Sequence, residues 1–209
     1  MKTRNKMATV KMAAMKMAAM KMALMLCIVA ALIGCSDGGG GGGGKDYKVG
    51  DTGPGGGIIF YASKTGFTMT DNNQLCHYLE AAPSDQSTTL MWVSISHRYT
   101  DITGIETAIG TGRKNTALIL AIDADAPAAK ACKDTGGSKT DWFLPSKDEL
   151  NELYNNRASV GNLETSTDSY YWSSSHPPTN YAWDQCFSNG YQDFNEKILT
   201  RLVRAVRAF

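Results

Sequence analysis

The hydrophobic positions of the chain change character near residue 45. Between Met22 and Gly34 they form one block of 13 residues without a charge. After residue 45 they fall into short runs bounded by glycine, proline, serine and asparagine, and into three segments with apolar residues at helical spacing. Strands, then helices, then strands again predict a single α+β domain with short antiparallel strands.

Helices are predicted over residues 116–121, 127–133 and 146–155. The third is the clearest, because Ser146 is followed three residues later by Glu149, the spacing of a capping box. Leu150, Leu153 and Tyr154 then fall on one helical face, which we expect to be buried.

Strands are predicted over 78–82, 91–94, 170–173, 182–187 and 201–209, and an opening hairpin is predicted to join 47–49 to 58–61 across the glycine-rich turn 50–56. The last strand is apolar at both odd and even positions, which indicates burial on both faces. Three arginines, Arg201, Arg204 and Arg207, lie on it. Since a half-buried guanidinium needs an acidic partner, we expect Asp141 or Glu149 to pair with one of them.

Composition supports one globular domain and excludes one class of partner. The 209 residues are 43% apolar and 20% charged, with a formal net charge of +1. Residues 1–34 hold six basic and no acidic residues, which leaves 15 basic against 20 acidic residues in the remainder, a net charge of −5. A body of that charge has no electrostatic footprint for nucleic acid, so no nucleic-acid partner is expected.

The first 46 residues are interpreted as an export and anchoring segment. The 13-residue apolar block would span roughly 20 Å as a helix, less than the ~30 Å core of a bilayer, so a secretory signal is favoured over a buried helix or short membrane anchor. It ends at Leu32-Ile33-Gly34-Cys35, which resembles the bacterial lipobox. That resemblance implies a signal peptide over 1–34, lipidation of Cys35, and a glycine-rich tether over 35–46.

Within the predicted domain, residues 47–209, several blocks resemble one family. Residues 141–154, 171–175 and 203–207, together with 53–61, 76–83 and 109–116, resemble the Lcl C-terminal-like domain family. The resemblance implies a C-type-lectin-like fold on an exported bacterial lipoprotein, with adhesin-type binding of a glycan or a surface protein. With Ser36 after the lipobox cysteine, the expected place is the cell envelope, lipid-anchored in the outer membrane.

The resemblance also suggests site residues. It implies a disulfide between Cys76 and Cys132, with Cys186 as a lone thiol; three buried, reduced cysteines are the alternative. Lectin-like domains bind through their later strands, so Tyr171, Trp172 and Trp183 are candidate ligand contacts, and packing in the core is the alternative.

No catalytic residue, metal or cofactor is predicted. The three histidines are scattered, Asp123 and Asp125 lack the other ligands of a calcium loop, and residues 110–116 lack the spacing of a phosphate loop. We therefore expect a binding module rather than an enzyme. The alternative is an enzyme with a dispersed site, distantly related to sulfatase-modifying factors, which residues 142–150 resemble; the copper-binding cysteine pair of those enzymes has no identifiable counterpart.

Overall fold

The computed structural model of the protein describes residues 45–178 and 180–209, and Asp46–Phe209 form one compact unit. The predicted signal peptide, Cys35 and most of the tether lie outside the described residues. Within them the strands are β1 Ile58–Thr68, β2 Leu75–Ala81, β3 Ser87–Leu90, β4 Tyr170–Trp172, β5 Tyr181–Cys186, β6 Gln192–Glu196, β7 Arg201–Val203 and β8 Val206–Ala208. The helices are α1 Gly112–Ile122, α2 Pro127–Lys133, α3 Lys147–Asn155 and α4 Arg157–Val160. This confirms the α+β fold class.

The strands form two sheets. The smaller one has the order β1-β2-β8 and is antiparallel throughout. The larger one has the order β3-β7-β4-β5-β6, and only β4 and β7 pair in parallel. An isolated bridge between Phe143 and Val206 adds a further backbone pairing at β8.

Three strand predictions are wrong, and two of them concern strand pairing. Residues 47–49 form no strand, because β1 pairs with β2 and the glycine-rich loop before it folds over the β2 residue Glu80. The segment 201–209 is two strands in different sheets instead of one. Its predicted burial on both faces is confirmed, since residues 202–208 are all buried.

The helices agree better with the sequence pattern. α2 has the predicted bounds, and α1 begins earlier than expected, at Gly112. At α3 the capping box is complete: the Glu149 N–H donates to Ser146 Oγ at 3.2 Å, and the Ser146 N–H donates to Glu149 Oε2 at 2.7 Å. The strand predicted over 91–94 is absent, and β3 lies just before it.

The core consists of two hydrophobic clusters. The first contains the three buried tryptophans Trp92, Trp142 and Trp172, and the second contains Phe60, Phe143, Tyr171 and Phe187. Neighbouring residues alternate between them, as in Trp142 and Phe143 or Tyr171 and Trp172, because successive side chains of an extended chain point to opposite sides. The central strands are therefore buried on both faces.

Candidate functional site

The three predicted aromatic contacts have different positions. Tyr171 and Trp172 are fully buried, whereas Trp183 is partly exposed. The Tyr171 hydroxyl donates to Asp85 at 2.9 Å, and the Trp172 indole donates to the Leu90 carbonyl at 2.8 Å. Because both polar edges are used inside the core, Tyr171 and Trp172 cannot contact a ligand, and their assignment as binding residues is wrong.

Trp183 belongs to a cluster of three rings, the aromatic patch, formed by Tyr181, Trp183 and Phe194. Tyr181 and Trp183 are two positions apart on β5, so they share a face of the sheet, and Trp183 lies directly opposite Phe194 on β6. The Phe194 ring centroid is 5.3 Å from that of Trp183 and 5.7 Å from that of Tyr181, both edge-on. Phe194 is 46% exposed, which makes it the most accessible large apolar side chain of the three.

Lys147 covers one side of the patch. Its ammonium lies 4.0 Å from the centroid of the Trp183 ring, a cation–π contact. Ser175 fixes this geometry, since its hydroxyl accepts the Lys147 N–H at 3.1 Å and its carbonyl accepts the Trp183 N–H at 2.9 Å. One buried serine thus holds both partners of the contact.

Amide side chains connect strands β5 and β6 to α3; Gln185 is buried and Gln192 is partly exposed. The Gln192 amide donates to the Lys147 carbonyl at 3.3 Å, and the Gln185 amide donates to Asn151 Oδ1 at 2.9 Å. Gln192 shares the β6 face with Phe194, two positions away. Apolar rings therefore lie next to polar groups with hydrogen-bonding capacity.

Glu149, two residues after Lys147, links the start of α3 to the loop before α1. Its fully buried carboxylate accepts N–H groups from Ser146 at 2.7 Å and from Gly110 at 2.8 Å. Burial raises the pKa of Glu149 to about 7, against the opposing effect of these donors. This carboxylate serves the fold that presents Lys147.

All three arginines of the last segment are paired with acids. Arg207 makes two hydrogen bonds to Asp141, at 2.9 and 3.0 Å, and one to Glu80 at 3.0 Å, which confirms Asp141 as a partner. Glu80 also accepts N–H groups from Gly55 and Gly57. The other two arginines pair with Asp184 and Asp85. These are ion pairs of the fold, and Glu149 takes no part in them.

The predicted disulfide is not present. Cys76, Cys132 and Cys186 are all buried, free thiols. Cys76 packs in the cluster with Phe143 and Cys132 in the cluster with Trp142, so they lie in different parts of the core. Burial raises the pKa values of Cys76 and Cys132, which favours the thiol over the reactive thiolate.

The other buried titratable side chains, Lys197, His176 and Asp123, form hydrogen bonds with backbone groups. The buried Lys197 donates to the Thr100 carbonyl at 2.8 Å, and burial lowers its pKa to about 8. His176 Nε2 accepts the Ile102 N–H at 3.3 Å; burial, and then the charge of Lys197, lowers its pKa. Asp123 accepts the N–H groups of Ser94 and Asp125. Among residues 45–178 and 180–209, no group of three His, Cys, Asp or Glu side chains could hold a metal ion.

Sequence reasoning missed Phe194, Tyr181 and Lys147. Phe194 is the one apolar residue in the polar segment 192–196, which carried no strand prediction. A usable signal was nearby: Asn189-Gly190, a favoured hairpin turn, lies one residue after the predicted strand 182–187. It predicts a returning strand on which Gln192, Phe194 and Glu196 share a face.

The fold and the site define a single α+β domain with a buried ion-pair network and an exposed aromatic surface. Residues 82–207 match the family of the Lcl C-terminal domain. Because this match covers more than half of the 209 residues, the chain belongs to the Lcl C-terminal domain family. Membership of this family indicates an extracellular, surface-related domain. A comparison with curated proteins finds no match. In the part of the chain that the structure describes, no helix has the length and hydrophobicity needed to cross a bilayer.

Proposed function

We propose that the protein is a non-catalytic binding module of the bacterial cell envelope that recognises a glycan through the aromatic patch. The observation that carries this proposal is the cluster of Tyr181, Trp183 and Phe194 at the surface, with Phe194 46% exposed. A lone exposed aromatic residue would need no explanation, but three in contact on one sheet face do.

The surroundings of the rings support a sugar more than a purely apolar partner. A sugar ring presents C–H groups on its faces and hydroxyl groups at its edge, so it needs an apolar surface bordered by hydrogen-bonding groups. Phe194 offers the surface, and Gln192 and Lys147 border it. The edge strand itself is less available, since the Phe194 N–H already donates to Asp193 Oδ1 at 2.8 Å.

A glycan array with the chain from residue 36 onward tests this function. We expect binding to at least one glycan, and we expect Phe194→Ala and Trp183→Ala to weaken it at least tenfold while the fold is kept. Tyr191→Ala is the matched control, because Tyr191 is a 59% exposed aromatic residue that precedes β6 and makes no contact with the patch rings. Equal loss with all three variants, or binding only to a protein, would contradict the proposal.

The second part of the proposal is the anchor. We infer that Cys35 is lipidated and holds the domain at the membrane, in the outer membrane, through the tether. Its support is the lipobox-like sequence ending at Cys35. Acyl labelling and membrane fractionation of Cys35→Ser should show loss of label and release, whereas Cys27→Ser, eight residues earlier, should behave as the unchanged protein. Label retained in Cys35→Ser would refute it.

A further inference from the structure

A groove of about 640 Å³ lies between the segment before β1 and the first two strands. Its walls include Tyr47, Lys48, Ser63, Lys64, His77 and Tyr78. That volume is within the range of small-molecule sites, about 300–1,000 Å³. None of these residues belongs to the aromatic patch.

A bulge in the small sheet forms one wall of the groove. The pairing of β1 with β2 passes from Ala62 opposite Tyr78 to Phe67 opposite Cys76, so residues 63–66 face His77 alone. The Ser63 carbonyl lies 2.9 Å from His77 Nδ1. Bulges re-aim side chains and are frequent beside binding sites. This one places Ser63 and Lys64 at the groove.

The groove combines aromatic and cationic groups. The rings of Tyr47 and Tyr78 are 5.4 Å apart, edge to face, and Phe209 packs against both at 5.4 Å. Within residues 45–178 and 180–209, neither the Lys48 nor the Lys64 ammonium forms an ion pair. The groove's carboxylate, Asp46, accepts the Tyr78 hydroxyl at 3.0 Å.

We propose that this groove is a second ligand site, for a ring compound that carries a phosphate or carboxylate group. The ring packs against Tyr47 and Tyr78, and the anionic group lies between the Lys48 and Lys64 ammonium groups, neither of which pairs with an acid among residues 45–178 and 180–209. Every groove residue precedes residue 82, where the family match begins. The groove shares no residue with the aromatic patch, so the site goes beyond the glycan binding proposed there.

NMR titration of the chain from residue 36, which keeps the whole described unit, tests the site with three probes. Phenyl phosphate carries both features, phenol only the ring and inorganic phosphate only the charge. We expect phenyl phosphate to shift resonances of Tyr47, His77 and Tyr78 and to bind about tenfold tighter than either single-feature probe, which corresponds to about 1.4 kcal/mol.

Variants separate the two contributions. The double variant Lys48→Gln with Lys64→Gln should weaken phenyl phosphate about tenfold, and Lys130→Gln with Lys133→Gln, on α2, should not. Tyr47→Leu should weaken phenyl phosphate and leave inorganic phosphate unchanged. Equal affinity for phenyl phosphate and inorganic phosphate, shifts confined to other surfaces, or no saturable shift would each overturn the site. None of these results depends on glycan binding at the patch.

Discussion

Replacing Arg207 with methionine should destabilise the domain far more than removing a surface charge. Arg207 is 4% exposed, and the Glu80 carboxylate that it contacts at 3.0 Å is fully buried. In Arg207→Met, Glu80 keeps the N–H groups of Gly55 and Gly57 but loses its counter-charge. Breaking a buried pair in this way costs about 3–5 kcal/mol.

Two further substitutions grade the effect. Glu80→Gln should cost about 3 kcal/mol, at the low end of that range, because Arg207 keeps its two hydrogen bonds to Asp141. Asp141→Asn should cost about 1 kcal/mol, since Asp141 is 35% exposed and water can partly replace the contact. The surface pair of Lys130 with Asp134 provides the control, and Lys130→Met should cost about 0.5 kcal/mol or less.

Urea unfolding followed by tryptophan fluorescence, with calorimetry beside it, measures these differences. For a domain of this size each kcal/mol lowers Tm by about 2–4 °C, so Arg207→Met should melt about 6–20 °C below the unchanged protein. The reasoning is refuted if Arg207→Met and Lys130→Met differ by less than 1 kcal/mol, or if the order of Arg207, Glu80 and Asp141 is reversed.

Three other outcomes are expected. Burial raises the pKa of Glu149 from 4.5 to about 7, so folding takes up a proton between these pH values. The contribution of Glu149 to the free energy of unfolding is therefore full below pH 4.5 and falls by up to about 3 kcal/mol as the pH rises to 7. Unfolding measurements on Glu149→Gln should lack this pH dependence. Gly57→Ala should leave the domain unfolded, without a cooperative transition in a thermal melt, because a Cβ there overlaps the Ala81 carbonyl. Gly136→Ala, in open space, should change the free energy of unfolding by less than about 0.5 kcal/mol. Because the three described cysteines are free, a reductant should leave Tm unchanged, and a lower Tm would show a bridge.

The parts of the fold that depend on neighbours in sequence could be predicted. The bounds of α2 and the capping box of α3 depend on a proline at the first position and on Ser146 and Glu149, which are local signals. The partner of β1 is the next strand, β2, and the prediction chose residues 47–49 instead because a glycine-rich turn lies between them and β1. The turn at 50–56 resembles a hairpin turn, but its glycines are needed for close approach to Glu80.

The same distinction applies to the site. Trp183 and Trp172 both read as strand tryptophans, and only the position of the strand in the sheet separates them. β4 is flanked by β7 and β5, whereas β5 pairs with the edge strand β6 and carries Trp183 on a partly exposed face. Strand order within a sheet is not encoded in local alternation, so Lys147, on α3, could not be placed beside Trp183 from the sequence pattern, whereas the Asn189-Gly190 turn was a signal for Phe194.

The division of the last segment between two sheets also constrains when the protein can fold. β2 cannot pair with β8, and β4 cannot pair with β7, before residues 201–208 have left the ribosome, so neither sheet is complete until then. Pairings between positions more than 100 residues apart form slowly and late. Without residues 201–208, the smaller sheet would lack its edge strand β8, and the larger sheet would lack β7, the strand that joins β3 to β4.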